Sequence, residues 1–407
     1  MQIKFSTGWQ PVQRKAGKTS NVPMPAPRTI PLSRPDITRR EIDAVVDVLH
    51  TDTLSIGPKV EEFEKLVAGL TGRQHAVAVS SGTTGLHCTM IAAGVDAGDE
   101  VITTPFSFVA SANAAMFVGA KPVFVDIDPK TLNIDYEKVA AAVTPKTKAI
   151  VAVEVFGHPG GMIELEQIAQ QHELVLIEDA CEGFGGRIGD RAIGSFGRAG
   201  VFGFYPNKQI TTGEGGMIVT DDDTFAATCR ALRNQGREGM NWLAHQRLGF
   251  NYRLSEINAA LGVAQVQRLD EILENRRRVA QLYMDRLMTN RYLILPTLSD
   301  DEATMSWFVF VVRLNDLFEP GDRDDVMREL RGMGIGCNNY FPPIHLQPYM
   351  TQAWAYKPGD FPVTEYVSAR TLALPFFSKM TRPQVTRVCD TLERVLEKAL
   401  TGRKGRF

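Results

Sequence analysis

Cysteine is scarce in this sequence: Cys88, Cys181, Cys229, Cys337 and Cys389 are an odd number, far apart, and form no C-x-x-C pair. That argues against a disulfide framework or a zinc site, and a cytoplasmic, reducing compartment fits best. An excess of charge is missing too. The 45 Lys and Arg nearly cancel the 47 Asp and Glu, so no broad basic field is there to recruit nucleic acid or anionic lipid. No uninterrupted apolar run approaches the roughly 18 to 20 residues of a spanning helix, and the N-terminus lacks the apolar stretch of a signal peptide. The chain is expected to be neither exported nor inserted. It has no internal repeat and no low-complexity tract beyond its N-terminal stretch.

What is present is apolar material for a large core, 44% of 407 residues, enough for two domains or for one large domain with an appendage. Residues 1–30 mix Lys4, Arg14, Lys15 and Lys18 with Pro11, Pro23, Pro25 and Pro27. Little apolar periodicity offsets the entropy of ordering them, and a flexible extension is expected. Helical spacing follows, with Ile42, Val45, Val46 and Leu49 on one face and Val60, Phe63 and Leu66 on another, each expected to pack on a core.

Short β-rich runs then alternate with helical stretches: Ala76–Val79, Glu100–Thr104, Pro122–Ile127, Ala149–Phe156 and Leu174–Asp179. Continuous apolar strands separated by helices predict a mostly parallel α/β sheet covered on both faces. Two further strands, Val201–Tyr205 and Met217–Thr220, follow with no long helix between them, which marks a special region. After Ser255 a long helical face runs through Leu269, Ile272, Leu273, Val279, Ala280, Tyr283 and Leu287, as a linking helix would. A strand over Ser306–Leu314 and helices over Arg323–Met333 and Arg382–Leu400 complete a smaller α+β unit. The expected division is a large domain over 31–275 and a small C-terminal one over 276–407.

Chemistry gathers at the ends of the predicted strands. Lys208 stands between an apolar strand and the glycine-rich TTGEGG; a lysine taken at random is a solvated surface residue, but this setting can project a desolvated, nucleophilic amine into a cleft. Asp179 ends the strand LVLIED, at the edge where open α/β sheets place ligands, although a helix cap or turn would suit it equally. Ser80–Gly85, SSGTTG, joins a strand to a helix starting near Thr84, and its small residues leave backbone N–H groups at the positive helix end for a phosphate. It lacks the lysine of a Walker loop, and GFGGRIG does not meet the dinucleotide fingerprint. Phe108, at the start of another helix, is either core or a ring that stacks on a flat cofactor.

Six segments in order, GPKVEEFE, SSGTTGLH, GDEVITTPFSFVASANA, IEDACEGFGG, FGFYPNKQITTGEGG and GFNYRLSEINAALG, closely resemble the DegT/DnrJ/StrS family of nucleotide-sugar aminotransferases that depend on pyridoxal 5'-phosphate (PLP). The resemblance implies the aspartate aminotransferase-like fold, fold type I among PLP enzymes, and a homodimer with shared active sites. It implies that Lys208 holds PLP as a Schiff base, that Asp179 pairs with the pyridine nitrogen, and that Phe108 stacks on the ring. Gly82, Thr83 and Thr84 match the phosphate-binding turn. Glu182 stands where relatives often have Gln near the phenolic oxygen. Gly203 replaces a phosphate-binding Ser, which Ser195 or neighbouring backbone is expected to replace in turn. Asn251 and Arg253 fall where a second subunit reaches the phosphate; shaping a turn is the other reading of Asn251. His345, in FPPIHLQPY, resembles a position near the sugar, and a core histidine is the other reading. The implied reaction takes an amino group, from glutamate by expectation, through pyridoxamine phosphate to a nucleotide-linked keto sugar. Relatives that act as dehydratases carry His in place of the lysine, so Lys208 favours transamination. A non-catalytic sensor of PLP or sugar nucleotide is the alternative from another class.

Overall fold

The computed structural model describes residues 29–238, 244–298 and 303–401. Most of the expected N-terminal extension lies outside them, but Ile30 already belongs to the folded body. It is 2% exposed, donates its N–H to Gly334 O and accepts from Gly336 N–H.

Thirteen strands are present among the described residues: β1 (His75–Val79), β2 (Glu100–Thr103), β3 (Lys121–Phe124), β4 (Thr147–Val153), β5 (Val175–Asp179), β6 (Arg187–Ile188), β7 (Arg191–Ala192), β8 (Ala199–Gly203), β9 (Gly216–Thr220), β10 (Leu293–Ile294), β11 (Ala303–Thr304), β12 (Phe310–Leu314) and β13 (Thr371–Leu374). Seven form the main sheet in the order β1-β9-β8-β5-β4-β2-β3. Every pairing is parallel except the two made by β9, which runs antiparallel to β1 and β8. This explains the missing helix after β8. An antiparallel return needs no crossover, so the segment between β8 and β9 is free to form a loop at the sheet edge.

Side chains alternate across this sheet because successive residues of a strand face opposite ways. Ala76, Ala78, Ile150, Ala152 and Phe202 join one apolar layer beneath the helices Pro58–Thr71, Met162–Gln171 and Glu256–Val266. Val77, Val79, Ala149, Val151 and Val201 join the other, beneath Gly82–Ala92, Ala110–Phe117 and Asp223–Arg233. Burial on both faces is what turned these strands into nearly unbroken apolar runs.

A second core surrounds the sheet β10-β12-β13 and the helices Asp322–Gly332 and Arg382–Thr401. The long helix Leu269–Leu287 serves both cores. Leu269 and Ile272 belong to the first; Val279, Ala280, Tyr283 and Leu287 belong to the second. The expected boundary at 275/276 falls within this unbroken helix. Among the described residues no helix is long and apolar enough to cross a membrane.

The first helix, Arg39–Leu49, corrects an expectation. Ile42, Val46 and Leu49 are 47%, 41% and 55% exposed, while Val48 and the charged Glu41 are buried. Glu41 turns inward because partners await it: Arg268 Nη1 at 2.7 Å, Gln265 Nε2 at 2.9 Å and the Thr38 N–H at 2.7 Å. Burial opposes its ionisation, but these donors hold its carboxyl down to about 2.

Candidate active site

The C-terminal ends of the parallel strands bring the predicted residues to one sheet edge. Asp179, the last residue of β5, is 4% exposed and keeps one oxygen on Ser111, whose hydroxyl donates to Oδ2 at 2.6 Å. The Cys181 N–H reaches Oδ1 at 3.3 Å. Ser111 lies in the first turn of Ala110–Phe117 and meets the Ser107 hydroxyl at 3.0 Å, so a buried pair of hydroxyls backs the carboxylate. Phe108 precedes this helix and does not start it. It is 61% exposed, which removes the core reading and leaves an aromatic side chain open to a ligand.

Lys208 sits on the loop between β8 and β9. Its amine stands 3.5 Å from Glu182 Oε1 and 3.9 Å from the centroid of the Phe308 ring, and the side chain is 14% exposed. Glu182 Oε2 accepts the Phe156 N–H at 2.8 Å. Burial raises the pKa of the Glu182 carboxyl above the ordinary carboxylate range, and the nearby Lys208 charge only partly offsets this.

The helix Gly82–Ala92 starts two residues earlier than expected, with Ser81 as its N-cap. The Thr84 hydroxyl is used in the cap itself, accepting the Ser81 N–H at 3.0 Å and donating to Ser81 O at 2.8 Å. Gly82 and Thr83 therefore begin the helix, where N–H groups lack intrahelical acceptors. Close approach here depends on glycine. A Cβ on Gly82 would lie 2.7 Å from Cys181 Sγ, and one on Gly216 would lie 2.5 Å from Ser81 O. Those two positions draw the helix start against β8 and β9, beside the loop that carries Lys208.

Not every expected residue joins this cluster. Ser195 lies in the turn Gly194–Gly197, whose Gly194 and Phe196 N–H groups donate to Glu178 at 2.6 and 3.0 Å. Glu178 leaves β5 on the face opposite Asp179, as the alternation of a strand requires. The Ser195 hydroxyl is buried without a hydrogen-bond partner on that far side, so it does not stand in for the hydroxyl that Gly203 lacks. His345 is fully buried; its Nε2 meets Glu365 Oε1 at 3.0 Å and its ring packs edge-on against Phe361. Burial lowers its pKa from the ordinary histidine value, against the opposing pull of Glu365. Asn251 is exposed, and its backbone pairs with Asn234. Arg253 Nη1 donates to Asn234 Oδ1 at 3.1 Å, at a cavity of about 430 Å³ that Arg230 and Arg233 also line.

Two contributors escaped sequence reasoning. Ser111 left a faint signal, a hydroxyl four residues after Ser107 among small apolar neighbours. Phe308 left none, since an aromatic in an apolar run reads as core.

The buried carboxylate, the enclosed amine and the glycine-cradled helix start have the donors and acceptors that PLP requires: an acceptor for a pyridinium, an amine for an aldehyde, and N–H groups for a phosphate. Comparison with known proteins agrees. The sequence pattern of the DegT/DnrJ/EryC1/StrS aminotransferase family matches residues 35–393. GDP-perosamine synthase of Caulobacter vibrioides is 37% identical over 370 residues, which cover 90% of this chain and 98% of that protein. Spore coat polysaccharide biosynthesis protein SpsC of Bacillus subtilis is 36% identical over 381 residues, 91% and 98% of the two chains. Streptococcus pneumoniae Spr1654, solved in its PMP-form, superposes with a TM-score of 0.88 at 25% identity and covers 92% of this chain and 100% of that one. By sequence and by fold, this chain belongs to the DegT/DnrJ/EryC1/StrS aminotransferase family.

Proposed function

We propose that this enzyme, an aminotransferase by family, binds PLP through Lys208 and transfers an amino group from glutamate to a nucleotide-linked keto sugar. The observation that carries the proposal is the placing of one enclosed amine, Lys208, at the same sheet edge as the buried Asp179 carboxylate and the helix start at Gly82. PLP, when bound, supplies an electron-accepting ring that lets the α-hydrogen of an amino acid leave as a proton. Asp179, fixed by Ser111, would hold the ring nitrogen in its charged form. Phe108 would cover a face of the ring, and the N–H groups of Gly82 and Thr83, with the Thr84 cap beneath them, would hold the phosphate. The Lys208 amine is the base that takes the α-proton from the donor and returns one to the sugar carbon. Glu182, whose carboxyl pKa burial holds above the ordinary carboxylate range, would tune the cofactor's oxygen without carrying the proton transfer.

The sugar substrate is supported by the relatives: one is a GDP-perosamine synthase and another serves spore coat polysaccharide biosynthesis. A homodimer with shared sites is supported by the exposed Asn251 and by the apolar face of Arg39–Leu49. Borohydride reduction of the PLP-loaded protein followed by peptide mapping tests the assignment. Label on Lys208, and its loss in Lys208→Ala, is the expected result; label on another lysine overturns it. Glutamate-dependent amination of nucleotide-linked 3-keto and 4-keto sugars, read by product NMR, then identifies the acceptor.

A further inference from the structure

Lys208 has a roof, and the residue next to it in sequence holds that roof in place. Gln209 is 3% exposed, and its Nε2 donates to Glu182 O at 2.6 Å, to Ser306 Oγ at 2.8 Å and to Ser306 O at 3.2 Å. The Ser306 hydroxyl donates onward to Phe184 O at 2.6 Å, and the Ser306 N–H reaches Gly157 O at 3.2 Å. Gly157 permits this approach; a Cβ there would fall 1.8 Å from Ser306 O. Two residues later comes Phe308, 3% exposed, with its ring over the Lys208 amine and nearly parallel to Tyr340. From the other side the buried Arg276 donates to Trp307 O at 2.6 Å and to Phe308 O at 2.7 Å. The path Lys208, Gln209, Ser306, Phe308 thus closes on itself across the junction of the two cores.

We infer that Gln209 and Ser306 are positioning residues that lock the Phe308 ring over the Lys208 amine, and that this ring restricts the amine to one open side and shields it from water. An aromatic face attracts positive charge and excludes solvent at the same contact. The amine then moves protons only on the side left open, towards Glu182 and the cleft. The catalytic meaning rests on Lys208 being the cofactor lysine, which borohydride mapping decides separately; the shielding itself is measured without cofactor.

The full-length chain, freed of cofactor, is labelled with acetic anhydride at fixed pH, and acetylation of Lys208 is read against exposed lysines by peptide mass spectrometry. Phe308→Leu is expected to raise the relative rate at Lys208 about threefold or more, while Phe308→Tyr, which keeps the ring face, stays within about twofold of the parent. Gln209→Met, with no donor, reproduces the Phe308→Leu value, and the double variant is no faster than either single one, because both act through one ring. Unchanged labelling in Phe308→Leu overturns the shield. A double variant whose effect is the product of the singles overturns the link through Gln209. Should Gln209→Met not fold, Ser306→Ala removes only the hydroxyl; a rise above the parent supports the clamp and parental labelling overturns it.

Discussion

The Ser111 hydroxyl donates to Asp179 Oδ2 at 2.6 Å, and both groups are buried. A carboxylate can rotate about its last bond, and this contact removes that freedom. Oδ1 takes the Cys181 N–H at 3.3 Å, a long contact that leaves this oxygen capacity for a cationic ligand.

Loss of that hydroxyl is expected to be costly. A hydrogen bond to a charged group contributes roughly 1.5–3 kcal/mol, so Ser111→Ala should lower kcat/KM about ten- to a hundredfold and, because the same bond is made without cofactor, should also lower the apo-protein's melting temperature. Parental kinetics and an unaltered cofactor absorbance would show that Asp179 needs no such support.

Glu182→Gln should keep substantial transamination, losing less than about tenfold, since the amide oxygen still accepts the Phe156 N–H. Burial raises the Glu182 pKa, so in the parent this group ionises above the ordinary carboxylate range. A limb of the kcat/KM profile in that region should flatten in the variant. A loss as complete as that of Lys208→Ala would reassign Glu182 to the proton transfer.

Asn251→Ala and Lys208→Ala proteins, each weakly active or inactive alone, should regain activity when unfolded and refolded together. With random pairing, half of the dimers are mixed and each has one intact site, so about a quarter of parental activity is expected if the subunits share sites. Recovery no greater than the sum of the separate proteins removes the shared site. Val46→Asp, on the exposed apolar face, should shift the protein towards monomer in sedimentation.

Glu154 and Glu178 are buried together, and burial, reinforced by the Glu178 charge, raises the Glu154 pKa well above 4.5. A raised value means that the folded protein binds this proton more tightly than the unfolded chain. The resulting stability is complete below the ordinary carboxylate pKa and is lost as pH rises above it towards the raised value. Glu154→Gln should flatten this decline in urea titrations across that range. Glu178→Gln leaves one acceptor for the Gly194 and Phe196 N–H groups and should cost about 1–3 kcal/mol at any pH. An unchanged or steeper decline in Glu154→Gln would refute the raised Glu154 pKa as its source.

The main sheet was legible because its strands are apolar on both faces and are bounded by polar residues and glycine: β1, β5 and β9 lie within a residue or two of their predicted limits. β13 was not foreseen, since Thr371–Leu374 is too short and featureless to stand out from loop. The strand at Ser306–Leu314 begins only at Phe310. The residues before it bond sideways to Gln209 and Arg276, a tertiary fact with no periodic trace. Asp179, Lys208 and the Gly82 turn stood out as candidates because glycine and charge at strand ends are locally unusual. The inward face of Arg39–Leu49 was misjudged because an apolar stripe cannot say whether its cover comes from the same chain. Ser195 was misplaced because sequence distance does not tell which side of a sheet a turn occupies.

The helix Leu269–Leu287 is a shared beam, seated in one core at its start and in the other at its end. Neither half has an apolar face it can leave open: separation would strip Leu269 and Ile272 from one side or Val279, Tyr283 and Leu287 from the other. Heating should therefore give a single calorimetric peak, and a chain cut between residues 275 and 276 should yield two fragments that find each other in solution before either holds its shape alone.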